Sequence, residues 1–261
     1  MKRYGYLIEQ VIEESNLLEA FHIVMRGKKR TRTVRHFKKN RDAILQEISE
    51  EIKTGRYAPS GFREFTVMEN GKLRDIQSLP FKDRIALHAI MAVLNKALGG
   101  MLIRDTYASL PNRGIHDGLN RIRMALKDVP GTRYCLKLDL KKFYHNVDQD
   151  ILIERLGRKI KDRMMLETLV RIIRSFGPGL AIGYHSSQLL GNFYLCLLDH
   201  FVKYDLHVKH YFRYCDDIVI LAPTKEYLHD VLGKMREVIE GQLHLTVKKN
   251  YQIFPVESRG I

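Results

Sequence analysis

The chain has 261 residues, of which 45% are hydrophobic, so it can form one large domain or two closely packed subdomains. Its formal net charge of +14 favours a polyanionic partner. No apolar run approaches the roughly 18 residues of a transmembrane helix, and the early acidic residues argue against a signal peptide. The three cysteines lack metal-ligand spacing and suit a reducing compartment, so we expect a cytoplasmic protein with no membrane partner.

The most basic segment lies near the N-terminus. Between Arg26 and Arg41 there are nine Lys or Arg residues and no acid. Such a segment can contact a phosphate backbone, which contributes affinity without sequence specificity. The alternative is a solvated surface or a mobile arm.

The pattern then predicts regular elements in chain order. Asn40 is a candidate cap for a helix that carries Ile44, Ile48 and Ile52 and ends at Gly55. A hairpin follows: residues 62–68 and 73–79 alternate like strands around the Asn70-Gly71 turn. A helix is expected over 82–98.

The second half has the order strand, helix, strand, strand, helix, strand. This order is typical of a split βαβ antiparallel sheet, here expected with its helices on one face, in a chain of the α+β class. In chain order, the pattern predicts a strand over 134–140, helices over 149–175 and 187–204, and a hairpin over 211–222. A helix capped by Thr224 follows, and then strands over 243–247 and 251–254.

Three carboxylates stand out against this pattern. Asp216 and Asp217 lie between two apolar runs, where adjacent charges favour a hairpin turn over a strand. In a split βαβ sheet the strand that ends near Asp139 is a neighbour of this hairpin, so the three acids can meet. Acids from different strands in a basic protein suggest two-metal phosphoryl transfer. The alternative is an ordinary Asp-rich turn.

Three motifs in order resemble those of reverse transcriptases. Tyr214-Cys215-Asp216-Asp217 resembles their Tyr-x-Asp-Asp box, residues 139–144 resemble their first palm motif, and residues 71–76 with Asp83-Arg84 resemble their fingers motif. The resemblance covers about residues 60 to 261. It implies the fingers and palm of a right-hand polymerase: an N-terminal extension and fingers over 1–130, and a palm over 131–261, with 150–190 partly returning to the fingers.

A fourth motif is more specific. Ile182-Gly183-Tyr184-His185-Ser186-Ser187-Gln188 resembles the Ile-Gly-x-x-x-Ser-Gln box of diversity-generating retroelement enzymes. Group II intron enzymes carry Gln-Gly-x-x-x-Ser-Pro there. The alternative for these residues is a helix start capped by Ser186 or Ser187.

The resemblance implies an RNA-directed DNA polymerase that makes errors at template adenines. Its expected partners are an RNA template, a cDNA or primer, deoxynucleoside triphosphates and a basic accessory variability protein, in a bacterium or phage. The alternatives are a group II intron or retron-like reverse transcriptase, and a non-catalytic RNA-binding relative.

The resemblance also implies roles for single residues. Asp139, Asp216 and Asp217 match the catalytic acids, and with Leu140 they form the expected site for two Mg²⁺ ions, or Mn²⁺. Asp217 is expected to be the weaker contributor. Tyr144 looks like a steric gate whose ring excludes a ribose 2′-OH; the alternative is a core tyrosine.

Two further sets of contacts follow from the resemblance. Lys248 or Lys249 matches a lysine near the leaving group. The expected nucleotide-binding residues are Lys72, Arg74, Tyr144, Gly183, Gln188 and Lys248. The expected template-binding residues are Arg113, Ile182 and Ser187.

The last residues, 257–261, resemble the start of the family's primer grip, and no helical thumb follows. We therefore expect fingers and palm only, with metal and nucleotide sites but a weak grip on a primer–template.

Overall fold

A computed structural model of the chain describes residues 3–28, 31–69 and 71–259. In chain order the elements are α1 (Leu7–Ile12), α2 (Glu14–Met25), α3 (Arg32–Lys39), α4 (Arg41–Lys53), β1 (Arg63–Glu69), β2 (Lys72–Ser78), α5 (Phe81–Leu98), α6 (Ile115–Ala125), β3 (Tyr134–Leu138), α7 (Phe143–Asn146), α8 (Gln149–Lys159), α9 (Arg163–Arg174), α10 (His185–His200), β4 (His210–Tyr214), β5 (Asp217–Ala222), α11 (Lys225–Gly241), β6 (Gln252–Pro255) and α12 (Val256–Arg259). Helix α10 continues as a π-helical segment, Phe201–Asp205.

The chain forms two compact units. The first is Met1–Gly99 with Gln149–Ser187, and the second is Gly100–Asp148 with Gln188–Ile261. The domain bounds of 1–130 and 131–261 stay a prediction. No helix among the described residues has both the length and the apolar character needed to cross a membrane.

The first unit is built around α5. This helix is apolar on most sides and contacts α1, α2 and α4, so residues such as Ile85, Ile90 and Leu94 are fully buried. Strands β1 and β2 form a two-stranded antiparallel hairpin in the register Arg63↔Ser78 to Glu69↔Lys72. The predicted hairpin is confirmed, although Asn70 of its turn lies outside the described residues.

The second unit contains a four-stranded antiparallel sheet with the order β4-β5-β3-β6. Consecutive strands β4 and β5 form a hairpin, and β3 lies between β5 and the last strand. This order is the split βαβ arrangement predicted from the sequence, and it confirms the α+β class.

Helices contact both faces of this sheet. Ile122 and Leu126, in and just after α6, pack against a cluster that includes Cys135 and Leu221. This cluster lies on one face of the sheet. Neighbouring residues of a strand point to opposite faces, and Arg213 lies on the face opposite the cluster, where it binds Asp199 of α10. The prediction placed helices on one face and did not include α6.

Two local predictions are wrong. Residues 243–247 do not form a strand, and only Val247 makes a bridge, to Leu140. The reason is local: His244 has a left-handed φ of 48°, and Leu245 N–H donates to the Ile239 carbonyl at the end of α11. Asn40 precedes α4 but does not cap it, because its side chain donates to His36 instead.

Candidate active site

Asp139 and Asp216 meet at one end of the sheet. Asp139 follows the last residue of β3, and Asp216 lies in the two-residue turn between β4 and β5. The pairing of Leu138 with Ile218 brings these two chain segments side by side. Burial, together with the negative charge of Asp139, raises the pKa of Asp216 to about 6. The acids are therefore close enough for their charges to repel.

Lys248 is the cation next to this pair. Its Nζ donates to Asp139 Oδ2, and its backbone N–H donates to the Asp139 carbonyl at 2.9 Å. Lys249 is exposed. The structure thus places Lys248 beside the acids, as one of the two alternatives predicted, while its role near a leaving group stays a prediction.

Asp217 is the acid that was expected to be the weaker contributor. It is the first residue of β5, pairs with Tyr214 across the hairpin and is exposed. Within residues 3–28, 31–69 and 71–259, no group of three acidic, His or Cys side chains is arranged to hold a metal ion. The charge of Asp217 still contributes to the raised pKa of Asp216, and a role for Asp217 in metal binding stays a prediction.

The pair nevertheless fits a divalent cation. Asp139 Oδ1 is buried and has no hydrogen-bond partner among the residues that the structure describes, and carboxylate oxygens are the ligands that Mg²⁺ and Mn²⁺ prefer. Asp139 and Asp216 are the side chains that would hold such an ion. The Leu140 side chain is apolar and fully buried, so only its backbone carbonyl could contribute.

Tyr144 lies beside the acids, in the short helix α7. Its hydroxyl is 3.0 Å from Cys215 Sγ. Burial and the neighbouring Cys215 and Asp216 raise the pKa of this hydroxyl above its usual range. Gly191 of α10 lies next to the ring, since a Cβ there would be 3.4 Å from Tyr144 Cε1. The structure therefore brings the predicted gate to the predicted acids.

A buried ion pair supports the turn, and sequence reasoning missed it. Arg213 is 0% exposed and binds Asp199 through Nε at 2.7 Å and Nη2 at 2.6 Å. Its Nη1 donates to the Cys215 carbonyl at 2.8 Å and to Asn192 Oδ1 at 3.0 Å. The Tyr211 hydroxyl also donates to Asp199, at 2.7 Å. The signal was an arginine on the inward-facing side of a strand, which needs a buried acid.

The predicted fingers residues lie in the first unit. Arg74 is an exposed residue of β2, and the side chain of Lys72 lies outside the described part of the structure. Gly183 has a φ of 103°, and a Cβ there would lie 2.7 Å from the Gln77 carbonyl oxygen. Gln77 N–H donates to the Ile182 carbonyl at 3.0 Å. Because glycine has no side chain, the backbone at Gly183 can lie close to β2.

The same region of the first unit contains a cavity of about 280 Å³. Its walls include Gly183, Tyr184, the β2 backbone and the stacked rings of His88 and His185. Ser186 and Ser187 are buried inside α10, and neither hydroxyl has a hydrogen-bond partner. The alternative that one of them caps the helix is therefore wrong.

The remaining predicted residues lie in the second unit. Gln188 is exposed on α10. Arg113 is half-buried, and its Nη1 donates to the Ile103 carbonyl at 2.7 Å, which ties it to its own loop. The nucleotide and template roles of these residues stay predictions.

Comparison with known proteins agrees with this arrangement. The family model of the reverse transcriptases (RNA-dependent DNA polymerases) matches residues 42–250. Protein YkfC of Escherichia coli K12 is 23% identical over 260 residues, covering 81% of this chain and 67% of YkfC. The group II intron-encoded protein LtrA of Lactococcus lactis subsp. cremoris is 25% identical over 170 residues, covering 60% of this chain and 28% of LtrA.

Solved structures share the fold. Telomerase from Candida tropicalis, in complex with a telomeric RNA fragment, superposes with a TM-score of 0.57 at 15% identity, covering 83% of this chain and 45% of that one. Telomerase from Candida albicans gives 0.54 at 11% identity, covering 85% and 47%. This chain thus spans less than half of either telomerase. Since the family model matches well over half of its residues, the chain belongs to the reverse transcriptase (RNA-dependent DNA polymerase) family.

Proposed function

We propose that this chain synthesises DNA on an RNA template by nucleotidyl transfer at Asp139 and Asp216. The observation that carries the proposal is that the pairing of β3 with β5 brings Asp139 and Asp216 together at one end of the four-stranded sheet, in a chain of the reverse transcriptase family. The acids supply oxygen ligands from two separate chain segments, which a cation needs because its ligands must converge from several directions.

The cation site, Lys248 and the fingers residue Arg74 each have a proposed task. Divalent cations bound there supply Lewis-acid activation of the attacking 3′-oxygen and charge stabilisation at the phosphate. The ammonium of Lys248 contributes positive charge beside Asp139, where negative charge is concentrated. Arg74 is proposed to bind the incoming triphosphate, since a guanidinium can donate two hydrogen bonds to one phosphate.

Primer extension tests this proposal. We expect the full chain to extend a DNA primer annealed to RNA when Mg²⁺ or Mn²⁺ is present, and EDTA to stop the reaction. Absence of extension over a range of enzyme and primer concentrations would favour the non-catalytic RNA-binding alternative. The range matters because low occupancy of the primer site slows extension without affecting the chemistry.

We further propose that the enzyme is of the diversity-generating type and copies template adenines inaccurately. Ile182 and Gln188 carry this proposal, because they match the form of the box that the family associates with adenine errors. A pocket that restrains base-pair geometry less strictly discriminates less between correct and incorrect bases. The same proposal includes a basic accessory variability protein as a partner.

Error mapping tests the subtype. Sequencing the products of the unaltered chain is expected to show substitutions concentrated opposite template adenines. Combining Ile182→Gln with Gln188→Pro is expected to lower that adenine-specific error rate several-fold while errors at other bases change little. An even error spectrum in the unaltered chain would contradict the subtype.

A second candidate function is that of a group II intron enzyme. The observation that favours it is the 25% identity to the intron-encoded protein LtrA over 170 residues. The same error map separates the two, because this candidate predicts accurate copying at all four bases.

A further inference from the structure

The Tyr144 hydroxyl is joined to the variable residue of the Tyr-x-Asp-Asp box. Tyr144 and Cys215 are 71 residues apart in sequence, and their side chains lie 3.0 Å apart, oxygen to sulfur. Either group can donate the hydrogen bond. Both side chains are half-buried, so few water molecules compete for the contact.

One edge of the Tyr144 ring already packs against helix α10. A Cβ on Gly191 would lie 3.1 Å from Phe143 Cε1 and 3.4 Å from Tyr144 Cε1. Helix α10 therefore fills the space along one ring edge. The hydroxyl end is the part whose position depends on Cys215.

Cys215 is itself firmly held. Its φ is +56°, a left-handed conformation that a residue with a side chain adopts only when its surroundings enforce it. Its carbonyl accepts a hydrogen bond from Arg213, whose guanidinium is fully buried against Asp199. The thiol is thus attached to a rigid part of the second unit.

We infer that Cys215 is a specificity-determining positioning residue: its thiol fixes the Tyr144 hydroxyl and so sets how strictly the site excludes a ribose 2′-OH. The inference rests on the proposed function, because it presumes that Tyr144 is the steric gate. A ring whose tip is held excludes an extra oxygen sharply, whereas a ring free to move by a few tenths of an ångström excludes it less.

Three variants test the contact. Cys215→Ala removes the thiol, Tyr144→Phe removes the hydroxyl but keeps the ring, and Cys215→Ser keeps a hydrogen-bonding group. Each single removal is expected to lower the ratio of kcat/KM for deoxynucleotides over ribonucleotides by roughly three- to tenfold, the effect of one lost hydrogen bond. Cys215→Ser is expected to stay within about twofold. Cys135→Ala is the matched control, a buried thiol in β3 whose loss is expected to leave the ratio unchanged.

The double variant makes the test decisive. If Cys215 acts through the Tyr144 hydroxyl, combining Cys215→Ala with Tyr144→Phe lowers the ratio no further than either change alone. Additive effects would overturn the inference, because they would mean that Cys215 influences the sugar by itself. An unchanged ratio in Cys215→Ala would overturn it as well.

A binding measurement separates this inference from the proposed function. The affinities of dATP and ATP for the full chain with a primer–RNA template can be measured without turnover by using a primer that lacks a 3′-OH. Preferential dATP binding that falls in Cys215→Ala supports the inference even if extension fails, in which case only the proposed function is lost. Equal binding of the two nucleotides by the unaltered chain overturns the inference even if extension succeeds.

Discussion

At the scale of single residues, two carboxylates and one ammonium lie together where the chemistry is proposed to occur. Asp139 and Asp216 were predictable because catalytic acids in this family occur at recognisable spacings. The ion pair that stabilises the turn was not predictable. Arg213 binds Asp199, which lies fourteen residues earlier in a helix, and the sequence pattern does not show which face of the sheet that helix covers. The position of Asp217 was also unpredictable, since it depends on which two residues occupy the turn.

Tyr144→Ala tests the gate at this scale. Removing the ring is expected to raise the efficiency of ribonucleotide incorporation by one to two orders of magnitude, because the 2′-OH no longer meets the ring. Deoxynucleotide incorporation should change much less. Single-nucleotide incorporation with matched dNTP and rNTP concentrations measures both, and retained discrimination would show that Tyr144 is a packing residue.

Helices and strands were predicted correctly where the turn and capping residues agree with the apolar pattern. The β1–β2 hairpin and α11 follow from turn and capping residues, and Thr224 indeed accepts a hydrogen bond from Tyr227 N–H. Prediction failed at 243–247, where alternating apolar residues are buried in an irregular segment. Its first half bonds to the end of α11, and its second half bonds to the residues that follow β3. An alternating apolar pattern indicates only that one side of a segment is buried, and an irregular segment can be buried in the same way.

Asp162 provides a prediction at the scale of elements, because it caps two helices. Its Oδ1 accepts from Met165 N–H at the start of α9, and its Oδ2 accepts from Leu7 and Ile8 N–H in α1. Asp162→Ala is expected to lower the free energy of unfolding by roughly 2–3 kcal/mol, and the single-cap variant Thr224→Ala by about 1 kcal/mol.

Urea denaturation measures these losses, and hydrogen exchange locates them. In Asp162→Ala the amides of Leu7 and Ile8 should exchange faster than in the unaltered chain. Equal exchange at these two amides would show that the long-range cap contributes nothing.

The net charge of +14 is the dominant property at the scale of the whole chain. Sequence reasoning predicted the split βαβ sheet well, because strand order and connection rules leave few arrangements. Sequence reasoning predicts the template error spectrum less directly, since proteins that share a fold can differ in function through single positions such as Gln188.

The net positive charge predicts that the affinity for RNA falls strongly as the salt concentration rises. Arg35 and Lys39 are exposed on one face of α3, one helical turn apart. Replacing both with Gln is expected to reduce the slope of log K against log salt concentration by roughly 1.4, about 0.7 for each phosphate contact on single-stranded RNA. The control replaces Arg158 and Arg163, which are exposed but already paired with Glu154 and Glu167. A fall of the same size in the control would assign the effect to net charge alone.

The most direct measurement is single-nucleotide incorporation opposite an RNA template by the Asp216→Asn variant. The amide keeps the size of the side chain but removes the charge that is proposed to hold a cation, so the rate is expected to fall by roughly a thousandfold or more. Asp230→Asn, which removes an exposed surface pair with Lys234, is expected to leave the rate unchanged. Incorporation by Asp216→Asn within tenfold of the unaltered chain would contradict catalysis at this pair of acids.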